Sequence, residues 1–158
     1  VIGTVGNEEK AKLAKENGTE DIIIYTKEDF ETRVKELTNN AGVDVIYDSV
    51  GKATFLKSLN CLKRRGMLIS FGQSSGAIPE FNTRILSEKG SLYLTRPTLA
   101  DYASNKEEIS QRINDIFSWI KNKELKIRIH KEFKLSEANK AHEELEGRKS
   151  AGKILMIL

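Results

Sequence analysis

Apolar residues follow two different spacings along this chain, and the two spacings alternate from one end to the other. Short unbroken apolar runs, such as the Ile triplet at positions 22–24, are typical of strands buried on both faces of a sheet. Between them, apolar residues recur at every third or fourth position, as in helices that pack one face. The alternation predicts an α/β fold.

Capping residues, glycines and the ends of the apolar runs give bounds for the predicted elements. The predicted strands or extended segments are 1–5, 21–25, 43–47, 66–71, 91–96, 127–133 and 153–158. The predicted helices are 7–15 with Asn7 as N-cap, 26–40, 53–62, 105–121 and 136–147 with Ser136 as N-cap, together with a short helical turn at 82–86. No repeat, linker or low-complexity segment interrupts this order, so we expect one domain over residues 1–158.

Strands that alternate with helices indicate a Rossmann-like, doubly wound and mostly parallel sheet. In such a sheet ligands bind at the carboxyl ends of the strands, so candidate chemistry is expected directly after each strand. The chain opens inside the apolar run 1–5, although termini are commonly loose and polar. We therefore expect a domain that lacks its first strand and Gly-rich phosphate loop.

Composition and charge narrow the possible functions. The 39% of hydrophobic residues supports a core at this length, and the net charge of +3 leaves no dense basic face for nucleic acid. No apolar run approaches the ~20 residues of a membrane span, and no secretory signal opens the chain. The single cysteine, Cys61, excludes an internal disulfide and a thiolate zinc cluster. These features predict a cytoplasmic protein.

The end of the first strand, residues 4–7, carries no acidic side chain. NAD enzymes place an acid there to bind the ribose 2′-hydroxyl. Lys10 instead lies in the first predicted helical turn, where free N–H groups favour anions, so a ribose 2′-phosphate suits the position. The alternative is that Lys10 is an ordinary surface lysine, and Glu8 and Glu9 count against an anion site.

Later strand ends offer further candidates, each with an ordinary structural alternative. Tyr25 either stacks beside an adenine or is an aromatic residue at the rim of the sheet. Ser49 can offer a hydroxyl or amide to a phosphate or ribose, while Asp48 can cap the helix that follows. The loop 71–76 has backbone donors for a ligand, but a turn without a ligand has the same composition.

No metal-ligand pattern is found in the sequence. The histidines His130 and His142 are distant in sequence, Cys61 fits a small buried residue, and no His-Glu-x-x-His or P-loop pattern is present. We therefore predict no catalytic residue and no metal site in this chain.

Five segments occur together in a fixed order along the chain. They are Val-Ile-Gly-Thr-Val-Gly-x-x-x-Lys-Ala, Val-Ile-Tyr-Asp-Ser-Val-Gly, Ser-Leu-x-Cys-Leu-x-x-Arg-Gly, Ser-Phe-Gly-x-Ser-Ser-Gly-Ala and Gly-Ser-Leu-Tyr-Leu-Thr-Arg-Pro. With them, the chain from Val1 to Leu158 resembles the NADPH-dependent quinone oxidoreductases, the zinc-free, ζ-crystallin-like branch of the medium-chain dehydrogenase/reductases.

The resemblance implies NADPH as cofactor and hydride transfer to a quinone. It places Lys10 at the 2′-phosphate, the stretch 94–96 near the nicotinamide carboxamide, and Arg148 within reach of the cofactor. The full set of implied cofactor-binding residues is Gly6, Lys10, Tyr25, Ser49, Phe71, Gly72, Ser74 and Arg148.

The resemblance also implies parts that this chain does not contain. An N-terminal catalytic domain would hold most of the quinone pocket, so we expect the chain alone to be inactive. A homodimer is implied through the edge strand 91–95. Three alternatives remain at this point: an enoyl reductase of the same superfamily, a methyltransferase-like domain, and a non-catalytic nucleotide-fold remnant.

Overall fold

A computed structural model of the chain describes residues 1–147 and 150–158. It divides into two compact units, unit 1 (1–101) and unit 2 (102–158), each of which is described by itself. In unit 1 the elements are β1 (Ile2–Val5), α1 (Glu8–Glu16), β2 (Asp21–Ile24), α2 (Phe30–Leu37), β3 (Val43–Asp48), α3 (Phe55–Cys61), β4 (Leu62–Ser70), α4 (Arg84–Glu88), β5 (Tyr93–Thr95) and α5 (Leu99–Tyr102), whose last residue crosses the boundary. In unit 2 they are α6 (Lys106–Lys121), β6 (Ile129–Lys134), a 3₁₀ turn (Leu135–Glu137), α7 (Ala138–Glu146) and β7 (Lys153–Ile157).

All strand pairs among the described residues are parallel. In unit 1, β1 pairs with β2, and β3, β4 and β5 form a sheet in that order. In unit 2, β6 pairs with β7. Parallel neighbours need a crossover, and the helices supply it. The prediction of a mostly parallel, Rossmann-like α/β architecture is confirmed.

Two groups of buried side chains hold unit 1 together. Phe55 and Leu59 of α3 pack on Leu68 of β4, and the ring of Phe81 lies 4.8 Å from that of Phe55, centroid to centroid. The second group is centred on Ile23, Val34 and Cys61. Full burial of one such apolar side chain stabilises the fold by about 1.5–3 kcal/mol. Both groups fix β2, β3 and β4, whose carboxyl ends carry the candidate residues.

The thiol of Cys61 lies inside the second group and is 1% exposed. Burial raises the pKa of this thiol to about 11, so at pH 7 only about one thiol in ten thousand is ionised. We expect the folded chain to resist the thiol reagent DTNB and to react after unfolding in guanidinium, followed by absorbance. Rapid reaction of the folded chain, with the unfolded chain as the reference for full labelling, would contradict this.

The predicted helix 26–40 is longer at both ends than the observed α2. Asp29 caps the observed helix by accepting a hydrogen bond from the backbone N–H of Thr32 at 3.0 Å, which fixes the start at Phe30. Asn39 and Asn40 both have positive φ, which ends the helical backbone before them. The prediction of the element was right, and its bounds were wrong.

Other differences arise from local backbone geometry. Strand β4 begins at Leu62 instead of Gly66, because a bulge with Arg65 at φ 60° lets pairing with β3 start early. Ser136, predicted as an N-cap, lies in the 3₁₀ turn, and α7 begins after it at Ala138. Helix α5 was not predicted.

Among the described helices, none combines the length and the apolar character needed to cross a membrane.

Candidate functional site

Lys10 lies where β1 leads into α1. Asn7 caps this helix, and its Oδ1 accepts the backbone N–H of Lys10 at 2.9 Å, so Lys10 falls in the first turn. Its side chain is half-buried. Glu8, in the same turn, pairs with Lys27, with its Oε1 at 2.5 Å from Nζ. The carboxylate of Glu8 is thus balanced by Lys27, while the exposed carboxylate of Glu9 also lies in this turn and counts against an anion.

Gly6 and Tyr25 lie side by side at the carboxyl ends of β1 and β2. A Cβ atom on Gly6 would stand 2.9 Å from the hydroxyl oxygen of Tyr25, and Thr26 Oγ1 donates to the Gly6 carbonyl at 2.9 Å. The ring of Tyr25 is 54% exposed, which leaves a face for stacking. The structure brings these two residues together beside the start of α1, and their role in binding stays a prediction.

The loops after β3 and β4 are interlocked through their backbones. The N–H of Phe71 donates to the Asp48 carbonyl at 2.9 Å, and the N–H of Ser74 donates to the Ser49 carbonyl at 3.2 Å. A Cβ on Gly72 would stand 2.5 Å from the Ser49 carbonyl oxygen, which is far inside van der Waals contact. Ser49, Phe71, Gly72 and Ser74 therefore form one surface, and the absence of a side chain at Gly72 permits it.

Asp48 is 5% exposed and organises the loop beneath this surface. Its Oδ1 accepts the backbone N–H groups of Val50 at 2.7 Å and Gly51 at 3.1 Å. Its Oδ2 accepts the hydroxyls of Thr54 at 2.7 Å and Ser58 at 3.1 Å. The structure gives this carboxylate a local role in holding the loop, but the prediction that Asp48 caps the following helix was wrong, because the N-cap of α3 is Thr54.

Arg96 connects the end of β5 to the loop after β4. Its Nη1 donates to the carbonyls of Ser70 at 2.8 Å and Gly72 at 3.3 Å, and its Nη2 donates to Gln73 Oε1 at 3.4 Å. The guanidinium thus braces the loop that carries Phe71 and Gly72. Sequence reasoning did not find this contact, and the available signal was an arginine as the last residue of the predicted strand 91–96.

The remaining candidates contribute less to the site. Arg148 lies outside the described residues. In unit 2, His130 Nε2 lies 3.2 Å from Glu144 Oε1, an ordinary pair between β6 and α7, while His142 is exposed. Within 1–147 and 150–158, no three His, Cys, Asp or Glu side chains come together as a metal-binding group. The donor set described here therefore does not fit a zinc ion.

The chain is similar in sequence and structure to known proteins. A family model described as zinc-binding dehydrogenase matches residues 17–156. Quinone oxidoreductase 1 of Escherichia coli is 44% identical over 159 residues, which cover 99% of this chain and 49% of the relative. A 2-haloacrylate reductase of a Burkholderia species is 43% identical, over 99% of this chain and 47% of the relative.

The crystal structure of Escherichia coli quinone oxidoreductase complexed with NADPH matches with a TM-score of 0.94 at 44% identity. The match covers 99% of this chain and 49% of that one. The chain spans about half the length of the curated relatives it matches.

Proposed function

We propose that this chain is the NADPH-binding half of an oxidoreductase acting on quinones. The chain belongs to the zinc-binding dehydrogenase family, and within it to the zinc-free quinone oxidoreductase type. The observation that carries the proposal is the start of α1. There Lys10 occupies the first turn beside Gly6 and Tyr25, and no acid ends β1. That arrangement suits the 2′-phosphate that distinguishes NADPH from NADH.

The residues present fit such a cofactor. The missing Cβ at Gly72 lets the loops after β3 and β4 pack together into one surface, and the exposed side chains of Tyr25 and Phe71 suit stacking. When bound, NADPH supplies the hydride, and the protein binds and orients it. The proposed contacts are Gly6, Lys10 and Tyr25 for the adenosine phosphate end and Ser49, Phe71, Gly72 and Ser74 for the nicotinamide half, with Arg148 as a further predicted contact.

The relatives described above are named for quinone and 2-haloacrylate reduction. The enoyl reductase alternative is not better supported than quinone reduction, and neither relative is named as a methyltransferase. The proposal also includes residues 1–158 as one cofactor domain and a homodimer through β5. The support for the dimer is that β5 is the last strand in the order β3-β4-β5, and no strand among residues 1–147 and 150–158 pairs with its outer edge.

Adenosine 2′,5′-bisphosphate tests the role of Lys10, because it needs only the adenosine end of the site. We expect this chain to bind it more tightly than adenosine 5′-monophosphate, measured by calorimetry. Lys10→Ala should weaken the bisphosphate by roughly 1–3 kcal/mol, the contribution of a charge-assisted hydrogen bond, and leave the monophosphate unchanged.

Lys12→Ala is the matched control, since Lys12 is an exposed lysine on the same helix. It removes the same charge from α1 and is expected to have little effect. An equal loss for both nucleotides in Lys10→Ala, or the same loss in Lys12→Ala, would show that Lys10 does not read the 2′-phosphate.

A further inference from the structure

Asn17 is followed by Gly18 at the end of α1, and no other asparagine of the chain precedes a glycine. Both residues are exposed. Asn17 is the C-cap of the helix, and its Nδ2 donates to the Leu13 carbonyl at 2.7 Å. The backbone nitrogen of Gly18 comes next in the chain, so its attack on Cγ of Asn17 closes a five-membered ring. The sequence and the exposure of this helix end therefore bring a reactive amide and its nucleophile together.

The backbone at Gly18 has room to turn toward the Asn17 side chain. Gly18 has φ 91°, and a Cβ added there would meet nothing within 4 Å outside its chain neighbours. A side chain at this position would obstruct the approach of the backbone nitrogen to Cγ, and glycine has none. The N–H of Gly18 donates to the Lys15 carbonyl at 3.1 Å, and this bond must open first. Because it lies at an exposed helix end, water replaces it at little net cost.

We propose that Asn17 is a site of spontaneous covalent modification, deamidation through a succinimide. The backbone nitrogen of Gly18 bonds to Cγ of Asn17, the Cγ–Nδ2 bond breaks, and ammonia leaves with the proton of the Gly18 N–H. Water then opens either of the two ring C–N bonds. The product is an aspartate, or an isoaspartate in which the main chain runs through Cβ and Cγ. Water is the co-reactant, and the steps need no oxidant or reductant.

The modification places a negative charge at the wrong end of α1. Asn17 Nδ2 donates to the Leu13 carbonyl, whereas a carboxylate oxygen in its place only accepts, so the two oxygens repel each other. A negative charge at the C-terminus of a helix also opposes the helix dipole. The last turn of α1 therefore loosens in the modified chain. Asn17→Asp gives the aspartate form directly and is expected to speed amide hydrogen exchange at residues 17–19, whose N–H groups bond to the carbonyls of residues 13–15.

Asn122 provides a matched control within the same chain. It is the exposed C-cap of α6, as Asn17 is of α1. The residue after it, Lys123, also has positive φ, at 64°, and its N–H donates to the Ile120 carbonyl at 3.0 Å. The two helix ends thus share their backbone geometry. They differ in the side chain that follows the asparagine, which is absent at Gly18.

Incubation of the folded chain at mildly alkaline pH, followed by digestion at mildly acidic pH and mass spectrometry, tests the proposal. The peptide with Asn17 is expected to gain about one mass unit and to give two products. These should co-elute with synthetic peptides of residues 16–27 that carry aspartate or isoaspartate at position 17. We expect Asn17 to convert about tenfold faster than Asn122 or more, and a tenfold difference corresponds to a barrier lower by about 1.4 kcal/mol.

Lys123→Gly transfers the reactive pair to the control position. Glycine adopts positive φ without strain, so this variant should fold, which circular dichroism checks. The rate at Asn122 is expected to rise toward that at Asn17.

Three results would overturn the proposal. The first is an unchanged Asn17 in the folded chain under conditions in which the synthetic peptide of residues 16–27 deamidates, because the helix end would then protect the amide. The second is an equal rate at Asn17 and Asn122 in the unaltered chain. The third is a folded Lys123→Gly variant in which Asn122 converts no faster than before.

Discussion

Asp48→Asn is expected to lower the free energy of unfolding by roughly 2–4 kcal/mol, measured by urea denaturation. The buried carboxylate of Asp48 accepts two backbone N–H groups and the hydroxyls of Thr54 and Ser58. An amide retains one oxygen, and its NH₂ group faces donors instead of acceptors. At least one buried donor then loses its partner, which costs about 1–3 kcal/mol for each group.

Asp44→Asn is the matched control on the same strand. Its carboxylate is largely exposed and pairs with Lys63 at the surface, where such pairs contribute little to stability. We expect a much smaller change for Asp44→Asn than for Asp48→Asn. Equal effects of the two substitutions would contradict the role given to the buried network. Faster amide hydrogen exchange at Val50 and Gly51 in Asp48→Asn would show that the loop itself has loosened.

Gly72→Ala is expected to destabilise the chain by about 3 kcal/mol, at the upper end of the usual cost of overpacking. The added methyl would meet the carbonyl oxygen, Cα and carbonyl carbon of Ser49 at 2.5, 2.7 and 2.9 Å. These are backbone atoms, so the clash is relieved only if the loops after β3 and β4 move apart. Denaturation gives the stability, and the amide shifts of residues 48–50 report the displacement.

Gly6→Ala provides the comparison for this substitution. Its methyl would also meet an atom at 2.9 Å, but that atom is the hydroxyl oxygen at the end of the Tyr25 side chain, which can rotate away. We therefore expect a smaller loss of stability at Gly6 than at Gly72. If both substitutions cost the same, the rigidity assigned to the Ser49 loop is wrong.

The architecture was predictable because each strand is a compact apolar run and each helix has its own apolar stripe. The run 21–25 and the stripe of the long helix 105–121 gave elements that the structure contains with small changes of bounds. The predicted bounds were wrong where local backbone geometry sets the end of an element, at the bulge with Arg65 and at the N-cap Asp29. A hydrophobic pattern does not encode these features, since they depend on φ and on single hydrogen bonds.

The part of the site that lies at strand ends could be predicted from the sequence. The grouping of Ser49 with Gly72 follows from parallel strands that end at one edge. The network around Asp48 was not predictable, because its partners Thr54 and Ser58 follow six and ten residues later and meet it only through α3. In the part of the chain that the structure describes, the buried hydroxyl of Ser70 has no hydrogen-bond partner, and this depends on packing that no spacing in the sequence predicts.

Parallel pairing throughout the described strands also determines how this chain must fold. Ile2 reaches Asp21, and Val45 reaches Met67, only after the chain between them has crossed the sheet. Closing the segment between two paired strands costs conformational entropy before any hydrogen bond between the strands forms. Sheets with such long-range pairing fold slowly. Side-chain caps, Asn7 on α1 and Asn105 on α6, favour these helices locally. We therefore expect sheet assembly to be slower than the first helix formation.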